Sequence, residues 1–87
     1  MSSRREDELE RERMRALSAL LRQATCDALA RRSVMATALD ESRGEVDRLL
    51  MLESIDASER RRVVMRAQMM LDAWRGMAGG SSAAGAR

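Results

Sequence analysis

The sequence predicts an all-α protein, and three features of the chain support this class. None of the 87 residues is proline, and only five are glycine, so few residues would interrupt a helix. Ala, Leu, Met, Arg and Glu, which favour helices, make up most of the chain. Apolar residues also recur at helical spacing. We therefore expect a long N-terminal helix plus one or two further helices, as a helical hairpin or a coiled-coil-like arrangement, with a disordered C-terminal tail.

The length and composition predict one small domain, over residues 1–78, that relies on other chains for stability. A chain of this size buries only about 60% of its unfolded surface. Leucine, isoleucine and valine together supply fifteen residues, and phenylalanine is absent. One cysteine and no histidine leave neither a disulfide nor a zinc site to stabilise the fold. A partner chain is the remaining source of stability.

Three capping-box patterns, in which a polar residue is followed three positions later by glutamate, predict where the helices start. They are Ser3 with Glu6, Ser42 with Glu45, and Asp56 with Glu59. The predicted helices cover residues 4–40, 43–55 and 57–78, each to within several residues. Gly44 leaves two models open, because a single glycine costs a helix only about 1 kcal/mol. Either the chain bends near 42–44, or one helix continues to residue 55.

The first predicted helix begins with a charged stretch, "REDELERERMR", whose acidic and basic residues lie three or four positions apart and form a solvated helical end. A helical apolar stripe follows, and it weakens at Arg31 and Arg32. Its members are Met14, Leu17, Leu20, Leu21, Ala24, Ala28, Met35 and Leu39. At the other end of the chain, residues 79–87, "GGSSAAGAR", have the composition of a flexible tail.

The third predicted helix carries the strongest amphipathic pattern of the chain. At about 100° per residue, its apolar side chains fall within an arc of roughly 140°. We predict that this stripe is the partner-binding surface. Its residues are Val63, Val64, Ala67, Met70, Leu71, Trp74 and Met77. Trp74, the only aromatic residue, lies at the centre of the stripe, where a core or interface role is favoured over stacking on a base.

Arginines flank this stripe on both sides, so they do not form one basic patch. Arg61 and Arg75 lie on one flank, and Arg62 and Arg66 lie on the other. We treat these four as candidate contacts with an acidic partner, although a solvated rim is the simpler interpretation. Residues 39–59 hold two arginines and seven carboxylates, whereas 60–87 hold six arginines and one carboxylate. An acidic helix from another chain fits this distribution better than a second copy does.

The residues that enzymes commonly use for proton transfer are missing, since the chain has no histidine, lysine or tyrosine. Cys26 has no base beside it and is interpreted as a buried structural residue. "GMAGG", at 76–80, follows a predicted helix and not a strand, which argues against a phosphate-binding loop. We therefore expect no catalytic residues, no metal and no cofactor.

These observations favour a non-enzymatic helical subunit or adaptor that docks an amphipathic helix into a larger protein assembly. A hetero-oligomer is favoured over a homo-oligomer. The alternative is an arginine-rich helical protein that accompanies nucleic acid, suggested by the calculated pI of about 9.9. A helix lying on a membrane surface is the third candidate. No apolar run approaches the roughly 20 residues that cross a bilayer, and we expect a cytoplasmic or nuclear location.

Overall fold

The computed structural model describes residues 3–85, with side chains described for 4–78. Three helices account for most of this part of the chain, and it contains no strand. They are α1 (Ser3–Ala30), α2 (Met35–Leu50) and α3 (Ala57–Gly85). The all-α class with a long N-terminal helix is confirmed. The flexible tail predicted over 79–87 lies outside the described side chains, although the bounds of α3 reach Gly85.

The first break in the helical chain lies at residues 31–34, so the predicted helix over 4–40 is wrong in its end point. Arg32 adopts the left-handed conformation, with a φ of 55°. Its amide donates to the carbonyl of Leu29 at 3.0 Å, and the amide of Ser33 donates to the carbonyl of Ala28 at 2.8 Å. This pair of bonds is the Schellman motif that commonly ends helices. Ser33 Oγ then accepts the amide of Met35 at 3.2 Å, at the start of α2.

Gly44 lies inside α2, so the predicted bend near 42–44 is wrong. One helix that continues to residue 55 is wrong in its extent, because the chain turns at 31–34 and α2 ends at Leu50. Ser42 does not cap a helix, because it is buried within α2 with 5% of its surface exposed. The cap predicted at Asp56 is confirmed, since its Oδ2 accepts the amide of Glu59 at 3.3 Å and α3 begins at the next residue. The side chain of Ser3 lies outside the described residues.

Helices α1 and α2 form an antiparallel hairpin, and the guanidinium of Arg11 joins its open end. One nitrogen of Arg11 donates to the carbonyl of Leu50 at 3.2 Å, and the other donates to those of Leu52 at 2.8 Å and Glu53 at 3.1 Å. The last carbonyls of a helix have no partners within the helix. A side chain near the start of α1 therefore caps the end of α2 and its exit loop.

A charged network links the middle of the hairpin. Ser18, which is buried on α1, donates to Asp47 on α2. Arg43 bridges two carboxylates of α2, donating to Asp47 at 2.8 Å and to Asp40 at 2.7 Å. The hydrogen bond to Asp40 raises the pKa of Arg43 above its ordinary value. The network fixes the alignment of α2 on α1 through a directional bond.

Helix α3 runs parallel to α1, so the acidic start of α1 lies beside the basic start of α3. Arg60 Nη1 lies 3.7 Å from a carboxylate oxygen of Asp7, and Arg60 Nε lies 4.0 Å from one of Glu10. On the opposite flank, Arg66 of α3 reaches Glu45 of α2 at 3.3 Å. Two arginines of the basic segment thus lie near carboxylates of the other two helices.

One apolar core lies between the three helices. It combines five residues of α1, four of α2 and four of α3, namely Met14, Leu17, Leu21, Ala24, Ala28, Ala36, Leu39, Val46, Leu49, Val63, Ala67, Leu71 and Trp74. In the described part of the chain, no helix has both the length and the apolar character needed to cross a bilayer.

Candidate interaction surface

The stripe predicted to bind a partner faces mainly the core of the chain itself. Val63, Ala67, Leu71 and Trp74 are buried, and no more than 6% of the surface of each is exposed. Val64 and Met70 are half-buried and pack on the same core, whereas Met77 is 61% exposed. The periodicity located an apolar face correctly, but most of that face already has neighbours within the chain. These residues alone do not provide a free docking surface.

Trp74 has an additional neighbour at the end of α1. The guanidinium carbon of Arg31 lies 5.8 Å from the centre of the indole ring, a distance typical of a cation–π contact. Arg31 also lies 3.5 Å from the carboxylate of Asp27, one turn earlier. The indole is therefore covered on one side by a charged side chain that is itself paired.

The three helices occupy positions that leave one side of the core less covered. Contacts are most extensive between α1 and α2, fewer between α2 and α3, and fewest between α1 and α3. In a four-helix bundle, neighbouring helices pack closely and diagonal helices lie further apart. This ranking matches three corners of such a bundle, with α1 and α3 on the diagonal. The fourth corner lies between α1 and α3, on the side away from α2.

Two open depressions lie between these helices, and we call them together the α1–α3 groove. The first has a volume of about 500 Å³ and lies near the start of both helices. Met14, Leu17, Val64 and Met65 supply its apolar lining. Met65 is 56% exposed, so part of this apolar surface faces solvent.

The second depression has a volume of about 690 Å³ and lies nearer the end of α1. Ala24, Leu71 and Trp74 supply its apolar lining, and Asp27 and Arg75 supply charged groups. Trp74, a core residue with 6% of its surface exposed, therefore also borders the groove.

Two rows of side chains border the groove, each with a spacing of seven residues or two helical turns. On α3 the row consists of Arg61, Gln68 and Arg75, all of which line the depressions. On α1, Arg13 and Asp27 line the depressions, and the seven-residue spacing puts the 40% exposed Leu20 midway between them. From the first to the last member, each row is about 21 Å long at the helical rise of roughly 1.5 Å per residue.

The four arginines predicted to contact an acidic partner have different surroundings. Arg61 and Arg75 are exposed and line the groove. Arg66 is paired with Glu45 on the α2 side, and Arg62 is exposed on α3 outside the lining of either depression. The structure therefore brings only two of the four to one surface.

Sequence reasoning missed part of this surface. Met65 lies outside the predicted stripe, and Arg13 lies in the charged stretch that the sequence predicts to be a solvated helical end. Cys26 was interpreted as buried, but it is exposed at the rim of the second depression. The seven-residue spacing of Arg61, Gln68 and Arg75 was a signal available in the sequence, but its meaning depends on where α1 lies.

We compared the chain with models of known protein families, with curated proteins and with solved structures, and none of the three comparisons found a match.

Proposed function

We propose that this chain is a non-enzymatic helical subunit that binds a protein partner through the α1–α3 groove. One observation carries the proposal: the core has an open, partly apolar side between α1 and α3, where a bundle would hold a fourth helix. A helix in a groove is a common mode of protein recognition, and it requires only apolar anchors at helical spacing.

The distribution of charge favours this proposal over binding to nucleic acid. Nucleic-acid binding usually involves arginines that are massed on one face and available to phosphates. Here Arg43, Arg60 and Arg66 lie near carboxylates of the same chain, which reduces the local positive charge. The exposed Arg62 and the groove-lining Arg61 are adjacent in sequence but diverge around the helix.

Site-specific photo-crosslinking in cells that naturally express the chain tests the proposal. A photoreactive amino acid is placed at Met65 or Gln68, which line the groove, and at Glu41 as the control. Glu41 is exposed on α2 and lines neither depression of the groove. All three positions are exposed, so the substitutions should leave the fold intact.

We expect one discrete crosslinked protein from the two groove positions and none from Glu41. Each variant is first compared with the wild type by circular dichroism, so that a misfolded chain is not scored. Equal crosslinking from all three positions, or from Glu41 alone, would contradict a docking function for the groove.

A further inference from the structure

We infer that the α1–α3 groove takes a single amphipathic helix from a different chain, with a Leu- or Met-rich stripe and acidic residues on its flanks. This inference rests on the proposed function and adds the chemistry of the partner. The length of the groove sets the size of the occupant, because about 21 Å corresponds to a helix of roughly 14 residues, or four turns.

The charges along the groove indicate an acidic occupant. Four arginines line the two depressions, at positions 13, 60, 61 and 75, together with two carboxylates, at positions 10 and 27. Both carboxylates are already near arginines of the chain, since Glu10 lies 3.5 Å from Arg13 and Asp27 lies 3.5 Å from Arg31. Arg13 and Arg60 lie near Glu10 in turn, so the positive charge of the lining that is not paired with these carboxylates comes from Arg61 and Arg75.

The positions of the exposed arginines define where the acidic groups should lie. Arg61 and Arg75 are fourteen residues apart in one row, at opposite ends of the groove. In bundles and coiled coils, charges that flank the apolar seam select the partner through ion pairs across helices. Glutamates or aspartates on the flank of a docked helix, four turns apart, would lie opposite both arginines.

A second copy of the chain is less suitable as the occupant. In the described part of the chain, none of its three helices combines exposed large apolar residues with a net negative charge. Helix α2 is acidic but has no exposed large apolar residue. Helix α1 has as many arginines as carboxylates, and α3 has more arginines than carboxylates. The exposed large apolar residues of these two helices are Leu9, Leu20, Leu29, Met65, Met69 and Met77.

Synthetic peptides test the chemistry of the partner directly. Two 18-residue helical peptides share the same leucine stripe, and one has glutamates on both flanks where the other has lysines. Binding of each fluorescein-labelled peptide to the full chain is measured by fluorescence anisotropy. We expect the Glu peptide to bind at least tenfold more tightly than the Lys peptide, with a preference that weakens as salt increases.

Charge reversal on the protein identifies the site of binding. The double variant Arg61→Glu, Arg75→Glu should weaken binding of the Glu peptide at least tenfold and should strengthen binding of the Lys peptide. Arg62→Glu is the matched control, because this exposed arginine neighbours Arg61 but does not line the groove. It should change the affinity by less than twofold.

Several outcomes would overturn the inference. Equal affinity for both peptides, or an equal loss with Arg62→Glu, would exclude an acidic partner held by the groove arginines. No binding of either peptide would also overturn it, whereas the crosslinking experiment independently decides whether the groove docks any protein. A dimer in sedimentation equilibrium that Met65→Glu dissociates would make a second copy the occupant. An 18-nucleotide single strand that displaces the Glu peptide at equal concentration would point to nucleic acid.

Discussion

Arg32 carries the left-handed backbone conformation that ends α1, a position at which glycine is the usual residue. For a residue with a Cβ atom this conformation costs roughly 1 kcal/mol or more. The Arg32→Gly variant should therefore raise the free energy of unfolding by about 0.5 to 1 kcal/mol, measured by urea denaturation followed by circular dichroism.

Arg22→Gly provides the control for this prediction, because Arg22 is an exposed residue within α1. Glycine there should lower the free energy of unfolding by about 1 kcal/mol. If both variants destabilised the chain to the same extent, Arg32 would not occupy the left-handed position.

Arg11 hydrogen-bonds from the start of α1 to the end of α2 and the following loop. Arg11→Met keeps most of the aliphatic stem but removes the three hydrogen bonds to carbonyls. Because the donor is charged and the site is half-buried, we expect the free energy of unfolding to fall by roughly 1 to 2 kcal/mol. Thermal denaturation of Arg11→Met beside the exposed control Arg15→Met measures this loss, and equal melting temperatures would refute the capping role.

Among the helices, a substitution at Gly44 tests where the chain turns between α1 and α2. It lies inside α2 without a positive φ, and a Cβ atom added there would meet no atom within 4 Å. Gly44→Ala should thus raise the free energy of unfolding by about 0.5 to 1 kcal/mol, because alanine favours a helix and restricts the unfolded chain. A loss of stability in urea denaturation would instead support a bend near 42–44.

The same region shows why the sequence predicted the helix class better than the helix ends. The absence of proline and the spacing of apolar residues were sufficient to predict a helical chain. The turn at 31–34 uses Arg32 at the position where glycine is expected, whereas the actual glycine lies within a helix. Local residue preferences differ by about 1 kcal/mol, and packing of α1 against α2 exceeds such differences.

The sequence predicted the amphipathic stripe of α3 correctly, but it did not predict that helices of the same chain cover this stripe. One helix pattern specifies which face is apolar and leaves open whether the same chain or another covers it. Val63, Ala67 and Leu71 contact neighbours within the chain, and the two open depressions lie between α1 and α3. The groove depends on the distance between α1 and α3, and the apolar pattern of one helix gives no information on that distance.

In the molecule as a whole, Trp74 belongs to the core, so its main contribution is to the stability of the fold. Because only 6% of its surface is exposed, Trp74→Ala should lower the free energy of unfolding by roughly 3 to 5 kcal/mol. Met69→Ala, at a site that is 67% exposed, should change it by less than about 0.5 kcal/mol. Guanidinium denaturation compares the two variants. If Trp74→Ala were as stable as Met69→Ala, Trp74 would not be part of the core.

In the structure, the chain covers most of the apolar stripe of α3 with its own helices. Unfolding followed by the fluorescence of Trp74, over a hundredfold range of protein concentration, tests whether this holds for the isolated chain. We expect a shielded indole in the native state and a cooperative transition whose midpoint is independent of concentration. A solvent-exposed indole without denaturant, or a midpoint that rises with concentration, would show that another chain covers the stripe.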